Sequence, residues 1–386
     1  MEISVLFIIF NRPAYTKKSF AAIRKAKPSK LYIAADGPRD CASEKELCEE
    51  TREFVLNSVD WECEVKTLFQ KKNLGCGLGV SSGISWFFEH EKCGIIIEDD
   101  VVVNYSFFKM CSELLEKYRN DKKIWSIGGY NLQGTSTFKE SYSFTKSFRC
   151  WGWATWKDRW EYFSLDVSNL KENILDYYTK DVGVKQHYQE ILWKLQNEKD
   201  IPVCRIDTWD CHYFLVCIRH KVLHIIPQKN MVKNIGLSGV HINCKRNPLL
   251  NTKVYKLDIV KYPKSVKGNQ KLQDQIDKMF IKFTKYPKIP VIKDRKIYLW
   301  GTGVFALKVL FLTRMYEITA FLDKSQMLDC YGYKVKHPEE ILNRTEQNRT
   351  EQNIFIFIAS TKYVDEMTKT CKRYGLKKGV DFWSPI

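Results

Sequence analysis

Apolar and polar residues alternate in two kinds of block over the first 130 positions. Short apolar runs predict strands at residues 4–10, 30–35, 93–98 and 124–128, and alternation predicts another at 64–69. Between them, apolar residues recur three and four apart. That spacing predicts helices at about residues 15–26, 41–59, 81–91 and 106–119. Strands alternating with helices predict a parallel sheet covered on both faces, a three-layer α/β sandwich. Ligands of such sheets bind at the carboxyl ends of the strands.

The pattern changes twice further on. Residues 131–243 are irregular and rich in Trp. From residue 296 a second strand–helix series starts: KIYLW and a Gly turn into a helix, then EITAFLDK, then NIFIFIAS and a helix to about residue 374. The tandem repeat NRTEQNRTEQN interrupts it as a polar surface loop. With 386 residues, 44% of them hydrophobic, the chain is long enough for two cores. The expected organisation is a catalytic domain over 1–245, a basic linker or helical segment over 246–295, and a smaller Rossmann-like α/β domain over 296–386.

Charge sharpens the middle boundary. The chain carries +17, and residues 245–296 hold 15 Lys/Arg against 4 Asp, a net +11. Such a stretch is either a solvated linker or a surface that attracts polyanions, such as the anionic inner face of a membrane. No helix-turn-helix or RNP-like pattern accompanies it, so nucleic acid is not expected as a partner. Thirteen Cys with no CxxC pair fit neither a disulfide framework nor a zinc site, and predict reduced thiols in a cytoplasmic protein. The N-terminal run lacks a basic start and a cleavage site, and reads as a first strand. No apolar stretch reaches 18 residues, so no transmembrane helix is expected.

Candidate chemistry collects at the predicted strand ends. IIIEDDVVV delivers Glu98, Asp99 and Asp100 from a buried strand. Adjacent carboxylates raise one another's pKa, a cost that a hard divalent cation offsets. The alternative is a helix cap with two solvated neighbours. Asp36-Gly37 ends the second strand, and reads as a hydrogen-bond acceptor for a base or ribose or as an ordinary turn. Asn11-Arg12 ends the first strand, where Arg12 suits a phosphate or is a plain loop residue. Asn73-Leu74-Gly75-Cys76-Gly77-Leu78-Gly79 precedes a helix. Its small residues allow close backbone approach, and a helix N-terminus favours an anion.

In this order, strand-Asn-Arg-Pro, strand-Asp-Gly, Asn-Leu-Gly and Glu-Asp-Asp resemble a GT-A-fold glycosyltransferase. The chain is similar in detail to the N-acetylglucosaminyltransferase I-like group and its bacterial polysaccharide-synthesis relatives. Three further stretches agree: Arg149-Cys150-Trp151-Gly152-Trp153-Ala154-Thr155-Trp156, Thr208-Trp209-Asp210, and Pro227 with Asn230-Met231-Val232-Lys233-Asn234-Ile235-Gly236. The resemblance covers about residues 1–245.

It implies metal-dependent, inverting transfer of a sugar from a UDP-sugar to a saccharide or lipid-linked saccharide in cell-surface polysaccharide biosynthesis, with Mn²⁺ or Mg²⁺ as cofactor. Asn11, Arg12, Asp36, Gly37, Asn73 and Gly75 are then expected around the nucleotide. Glu98 and Asp99 are expected to support metal and sugar, and Asp100 to bind the metal. Trp153 is expected near the donor sugar. Asp210 is the expected general base, or else a helix N-cap. The bacterial members carry Thr-His after Asn-Ile-Gly. Here Gly239-Val240-His241 lacks the Thr, and His241 is either a second metal ligand or a surface residue. Two rivals share parts of this pattern. A nucleotide-sugar-forming nucleotidyltransferase needs an N-terminal Gly-rich loop, where this chain has FNRPAY. A non-catalytic nucleotide-sugar-binding protein would not need the acid cluster or Asp210. Gly301-x-Gly303-x-x-Ala306, with Asp323 at the next strand end, meets dinucleotide-fold spacing. It resembles Rossmann-like appendages of bacterial polysaccharide enzymes, with a structural or partner-binding role favoured over nucleotide binding.

Overall fold

The computed structural model describes residues 3–197, 207–236, 238–239, 242–243, 252–281, 289–314, 316–325, 327, 329–347 and 353–385. The chain divides into two compact units, one of residues 1–185 with 207–282, the other of 186–206 with 283–386. Among the described residues no helix is long and apolar enough to cross a membrane.

The first unit opens with β1 (Ser4–Ile9), α1 (Pro13–Ala26), β2 (Lys30–Ala35), α2 (Ala42–Asn57), β3 (Glu64–Phe69), α3 (Gly75–His90) and β4 (Cys93–Glu98). After a short β5 (Val101–Val103) come α4 (Tyr105–Lys117), β6 (Ile124–Gly128), β7 (Tyr142–Thr145) and β8 (Trp153–Trp156). The remainder is α5 (Lys157–Trp160), α6 (Leu175–Tyr178), α7 (Val182–Asn197), α8 (Asp210–Arg219), β9 (Leu223–Pro227), β10 (Val232–Asn234), the short strands β11 (Ser238–Gly239) and β12 (Ile242–Asn243), and α9 (Gln270–Ile281). Helix α7 crosses the boundary between the units.

Eight strands form one sheet in the order β3-β2-β1-β4-β8-β6-β9-β7. The first four run parallel. The sheet is nevertheless mixed, not all-parallel as the alternating pattern predicted: β8 runs antiparallel to both β4 and β6, and β7 antiparallel to β9. The Trp-rich middle therefore supplies strands, and β8 inserts between the two halves. The pleat divides the core. Val5, Phe7 and Ile9 join Phe20 and Ile23 of α1 and Phe107 and Leu114 of α4. On the other side, Tyr32 lies edge-on to Phe87 of α3 at 4.9 Å, and Gly83 of α3 leaves room for Ala34.

Residues 252–281, within the basic stretch, belong to this unit. Leu257 N–H donates to Ser106 Oγ at 3.1 Å, Val260 and Lys261 N–H donate to Ser141 Oγ at 3.0 Å, and Gln273 accepts from Thr145 at 2.8 Å. Leu257, Leu272 and Ile276 are buried in the same core.

The second unit holds β13 (Lys296–Trp300), α10 (Val304–Leu312), β14 (Ile318–Leu322), β15 (Asp329–Cys330), β16 (Tyr333–Lys336), α11 (Pro338–Gln347), β17 (Ile354–Ile358), α12 (Val364–Arg373) and β18 (Phe382–Trp383). Its sheet order is β15-β16-β14-β13-β17-β18, parallel except for the β15–β16 hairpin. Tyr298 and Trp300 pack with α11 and α12, while Ile297 and Leu299 pack with α10. Gly301 has φ +121 and lies against the Ala359 carbonyl, and Asp323 accepts from Thr302 at 2.9 Å.

One buried group in the first unit fixes a pH dependence. His224 on β9 is 1% exposed; its Nδ1 pairs with Ser126 Oγ at 2.8 Å, and its Nε2 has no partner among the described residues. Burial, then the charge of Arg149, lowers its pKa to about 3. The unfolded chain takes up a proton near pH 6.5, whereas the folded unit does not until about pH 3. His224 therefore supports the fold fully above pH 6.5, and that support drains away as pH falls. Denaturant unfolding should give lower stability at pH 5 than at pH 7.5, and His224→Gln should narrow the difference by about 1–2 kcal/mol.

Candidate functional site

Parallel strands β1, β2 and β4 end side by side, and their ends carry Asn11 and Arg12, Asp36 and Gly37, and Glu98 to Asp100. Two clusters form there.

The first is acidic. Arg12, on the loop into α1, donates from Nε to Asp99 Oδ2 at 3.3 Å and from Nη1 to Asp100 Oδ2 at 3.0 Å, and pairs again with Asp99 through Nη2. Asp99 is 2% exposed; burial pushes its pKa up to about 6, against the pull of Arg12. Glu98 makes no side-chain hydrogen bond among the described residues. Burial, followed by the like charges of Asp100, Asp210 and Asp99, holds its pKa well above the usual carboxylate range. Asp100 is further fixed by β10 and the loop after it. Its carbonyl accepts from Ile235 N–H at 2.8 Å, Asn234 Nδ2 lies 3.4 Å from Oδ1, and a side chain at Gly236 would meet Oδ2 at 2.5 Å. The Asn230–Gly236 stretch is thus brought to the acid cluster. Asn11 turns elsewhere and donates to Glu44 at 2.7 Å, the same carboxylate that holds Arg39.

Asp210 approaches from a distant part of the chain as the first residue of α8. Its Oδ1 accepts from Cys211 N–H at 3.0 Å and from the Thr208 hydroxyl, and its Oδ2 faces the Cys150 thiol at 3.6 Å. It lies close enough to raise the pKa of Glu98.

The second cluster surrounds Asp36. Four donors of the chain itself fill its carboxylate: Gly37 and Leu74 N–H on Oδ1 at 2.8 and 2.9 Å, Asn73 Nδ2 and Gly75 N–H on Oδ2 at 3.0 and 3.1 Å. Four bonds saturate a carboxylate. A base or ribose hydroxyl would therefore have to replace one of these donors. Gly37 is required by space, because a Cβ there would lie 2.4 Å from the Lys72 backbone.

Helix α3 begins at Gly75, six residues before the periodicity predicted, because its first amides find an anion. That anion belongs to the chain: Asp207 accepts from Cys76 N–H at 2.9 Å and Gly77 N–H at 2.8 Å. Sequence reasoning missed Asp207. The only signal was a Gly-rich loop awaiting a negative charge, with an Asp three residues before Asp210.

One expected residue does not face the site. Trp153 is fully buried, stacked on Trp209 at 5.5 Å, with its Nε1 unpaired among the described residues. It offers no ring face to a sugar and backs the residue beside Asp210 instead. His241 lies outside the described residues. Among the described residues, no group of three or more His, Cys, Asp and Glu side chains is arranged to hold a metal ion. The acid cluster nonetheless has the hard oxygen chemistry of a divalent-cation site, with Glu98 unpaired among the described residues and Asn234 Nδ2 3.4 Å from Asp100 Oδ1.

No protein-family model matches the chain, and no curated protein matches its sequence. Solved structures with a weak likeness to the chain include S. aureus TarS 1–349, at 10% identity over 57% of this chain and 71% of that one, with a TM-score of 0.31. An apo UDP-glucose pyrophosphorylase shares 12% identity over 61% of this chain and 94% of its own, with a TM-score of 0.31. The glycosyltransferase GlyE of Streptococcus pneumoniae TIGR4 shares 9% identity over 99% and 92%, with a TM-score of 0.29. TM-scores of this size give no functional information, and the side chains carry the functional reading.

The Gly-rich loop makes a sharp demand on sequence. Gly75 has φ +83, and a Cβ on it would sit 2.5 Å from Asp207 Oδ2, whereas a Cβ on Gly303 in the second unit would meet nothing within 4 Å. Gly75→Ala should lower the stability of the first unit by about 1–3 kcal/mol, and Gly303→Ala should stay within about 0.5 kcal/mol in thermal unfolding.

Proposed function

We propose that the first unit transfers a sugar from a UDP-sugar to a hydroxyl of a saccharide acceptor, in a single inverting displacement. The observation that carries this reading is the meeting of Arg12, Glu98, Asp99, Asp100 and Asp210 at the carboxyl ends of parallel strands. Structural residues have no reason to gather four carboxylates where one guanidinium pairs with two of them, since the repulsion and lost hydration oppose folding. A donor diphosphate with a cation would relieve that cost.

In this reading Asp100 and Glu98 would hold the divalent cation. The cation supplies charge neutralisation for the departing UDP. Arg12 orients Asp99 and Asp100 and is available to the diphosphate. Asp210 takes the acceptor proton on Oδ2, the oxygen that faces the weak Cys150 donor. Its Oδ1 is fixed by Thr208 and Cys211, which aims Oδ2. The Asp36–Asn73–Gly75 loop borders the nucleotide, with uridine exchanging for one of its own-chain donors.

The acceptor is proposed to be lipid-linked, with the first unit resting on an anionic membrane face. Lys253, Lys256, Lys261, Lys264 and Lys267 are exposed, and so are Val260 and Tyr262. Lys256 joins Lys25, Lys109 and Tyr105 around a cavity of about 460 Å³.

Calorimetry should detect a UDP-sugar whose affinity rises with Mn²⁺, and Asp100→Ala should remove the metal-dependent part. Asp210→Asn should bind within about 3-fold of wild type yet turn over about 10²–10⁴-fold more slowly. Failure of every UDP-sugar to bind would end the transferase reading. In flotation assays the protein should bind phosphatidylserine vesicles but not neutral ones, and lose about tenfold or more of that binding when Lys253, Lys256 and Lys261 are all replaced by Glu.

A further inference from the structure

We infer that Asp207 is a positioning residue, which sets Asp210 against the donor loop by locking the two ends of the site together. This role rests on the transferase reading above. Asp207 lies 130 or more residues from the amides it binds. One carboxylate oxygen serves Cys76, the other Gly77, so the side chain is held at both oxygens and cannot swing. Both glycines of the contact make room for it: a Cβ at Gly75 would strike Oδ2, and one at Gly77 would come within 3.0 Å of Oδ1.

What is locked is short and direct. Thr208 follows Asp207, and its hydroxyl donates to Asp210 Oδ1. The Thr208 carbonyl pairs with His212 Nδ1 at 2.7 Å, one turn into α8. Trp209 between them is 2% exposed and stacked on Trp153. The start of α8 is therefore pinned on one side by the aromatic core and on the other by the N-terminus of α3. That same N-terminus is where Asp36 receives Leu74 and Gly75. Two carboxylates thus share one set of helix amides, one from the donor loop and one from the base segment. Neither can shift without disturbing α3. An error of about 1 Å in a reacting group costs on the order of 10²-fold in rate.

Asp207→Asn and Asp207→Ala of the full chain separate this role from mere support. Hydrogen exchange read at peptides over residues 74–79 and 208–214 reports the lock without any substrate. Both variants should exchange faster there, with Asn the milder because one oxygen can still accept. UDP binding should stay within about 3-fold of wild type. Release of UDP from the UDP-sugar that wild type uses should fall about 10–100-fold in kcat, with little change in KM. Unchanged exchange, or faster exchange with wild-type kcat, overturns the role. Equal loss of UDP binding and kcat also overturns it, because Asp207 would then support the donor loop alone. If wild type turns over no UDP-sugar, the transferase reading fails and the positioning role fails with it, whereas the exchange data still decide whether the lock exists.

Discussion

Carboxylates gathered at one end of a sheet must each find donors, and the first unit is organised around that requirement. Asp99 is buried and relies on Arg12. Asp36 takes four donors from its own loop, and Asp207 takes the first amides of α3. Glu98 alone is left without a hydrogen bond among the described residues, while burial and the like charges of Asp100, Asp210 and Asp99 raise its pKa. Satisfied carboxylates hold backbone in place, while an unsatisfied one is a stored cost that a cation or proton can relieve.

The glycines follow from the same requirement. Gly75, Gly77 and Gly79 are spaced around two carboxylates, and Gly236 around a third. Read as a phosphate loop, the Gly-rich stretch awaits an external anion. In the folded unit the anion is already present as Asp207. The inference of negative charge was sound; only its source was internal. The helix dipole and the unpaired amides act alike on a phosphate and a carboxylate, so the sequence around Gly75 cannot distinguish them.

Much of the parallel half was legible because each strand announces itself locally. Residues 30–35, 93–98 and 124–128 are strands as the apolar runs predicted, since a buried strand needs an unbroken run, and 64–69 is the more exposed edge strand that its alternation predicted. Direction is not local, and the antiparallel course of β8 is written nowhere in WATW. The site divided along the same line. Arg12 and the acids stand where strand ends had to place them. The Asp207 contact, which joins residues 130 positions apart, leaves no trace in spacing. Trp153 misled because aromatic residues near a motif read the same whether they face a sugar or a core. Its lack of exposure comes from Trp209 and Phe148, which arrive from elsewhere.

The segment 252–281 draws its basic charge and its structural role from different faces. Its lysines point to water, while Leu257, Leu272 and Ile276 complete the core and Gln273 bonds the edge strand β7. A change in charge along a chain marks where solvent exposure rises, not where cooperative folding ends. Cutting the chain where the lysines begin would strip three apolar side chains from the first core and leave the sheet's last edge uncovered. The smallest fragment that keeps this unit intact therefore carries its most basic stretch with it, and that charge is altered by substituting the water-facing lysines, not by truncation.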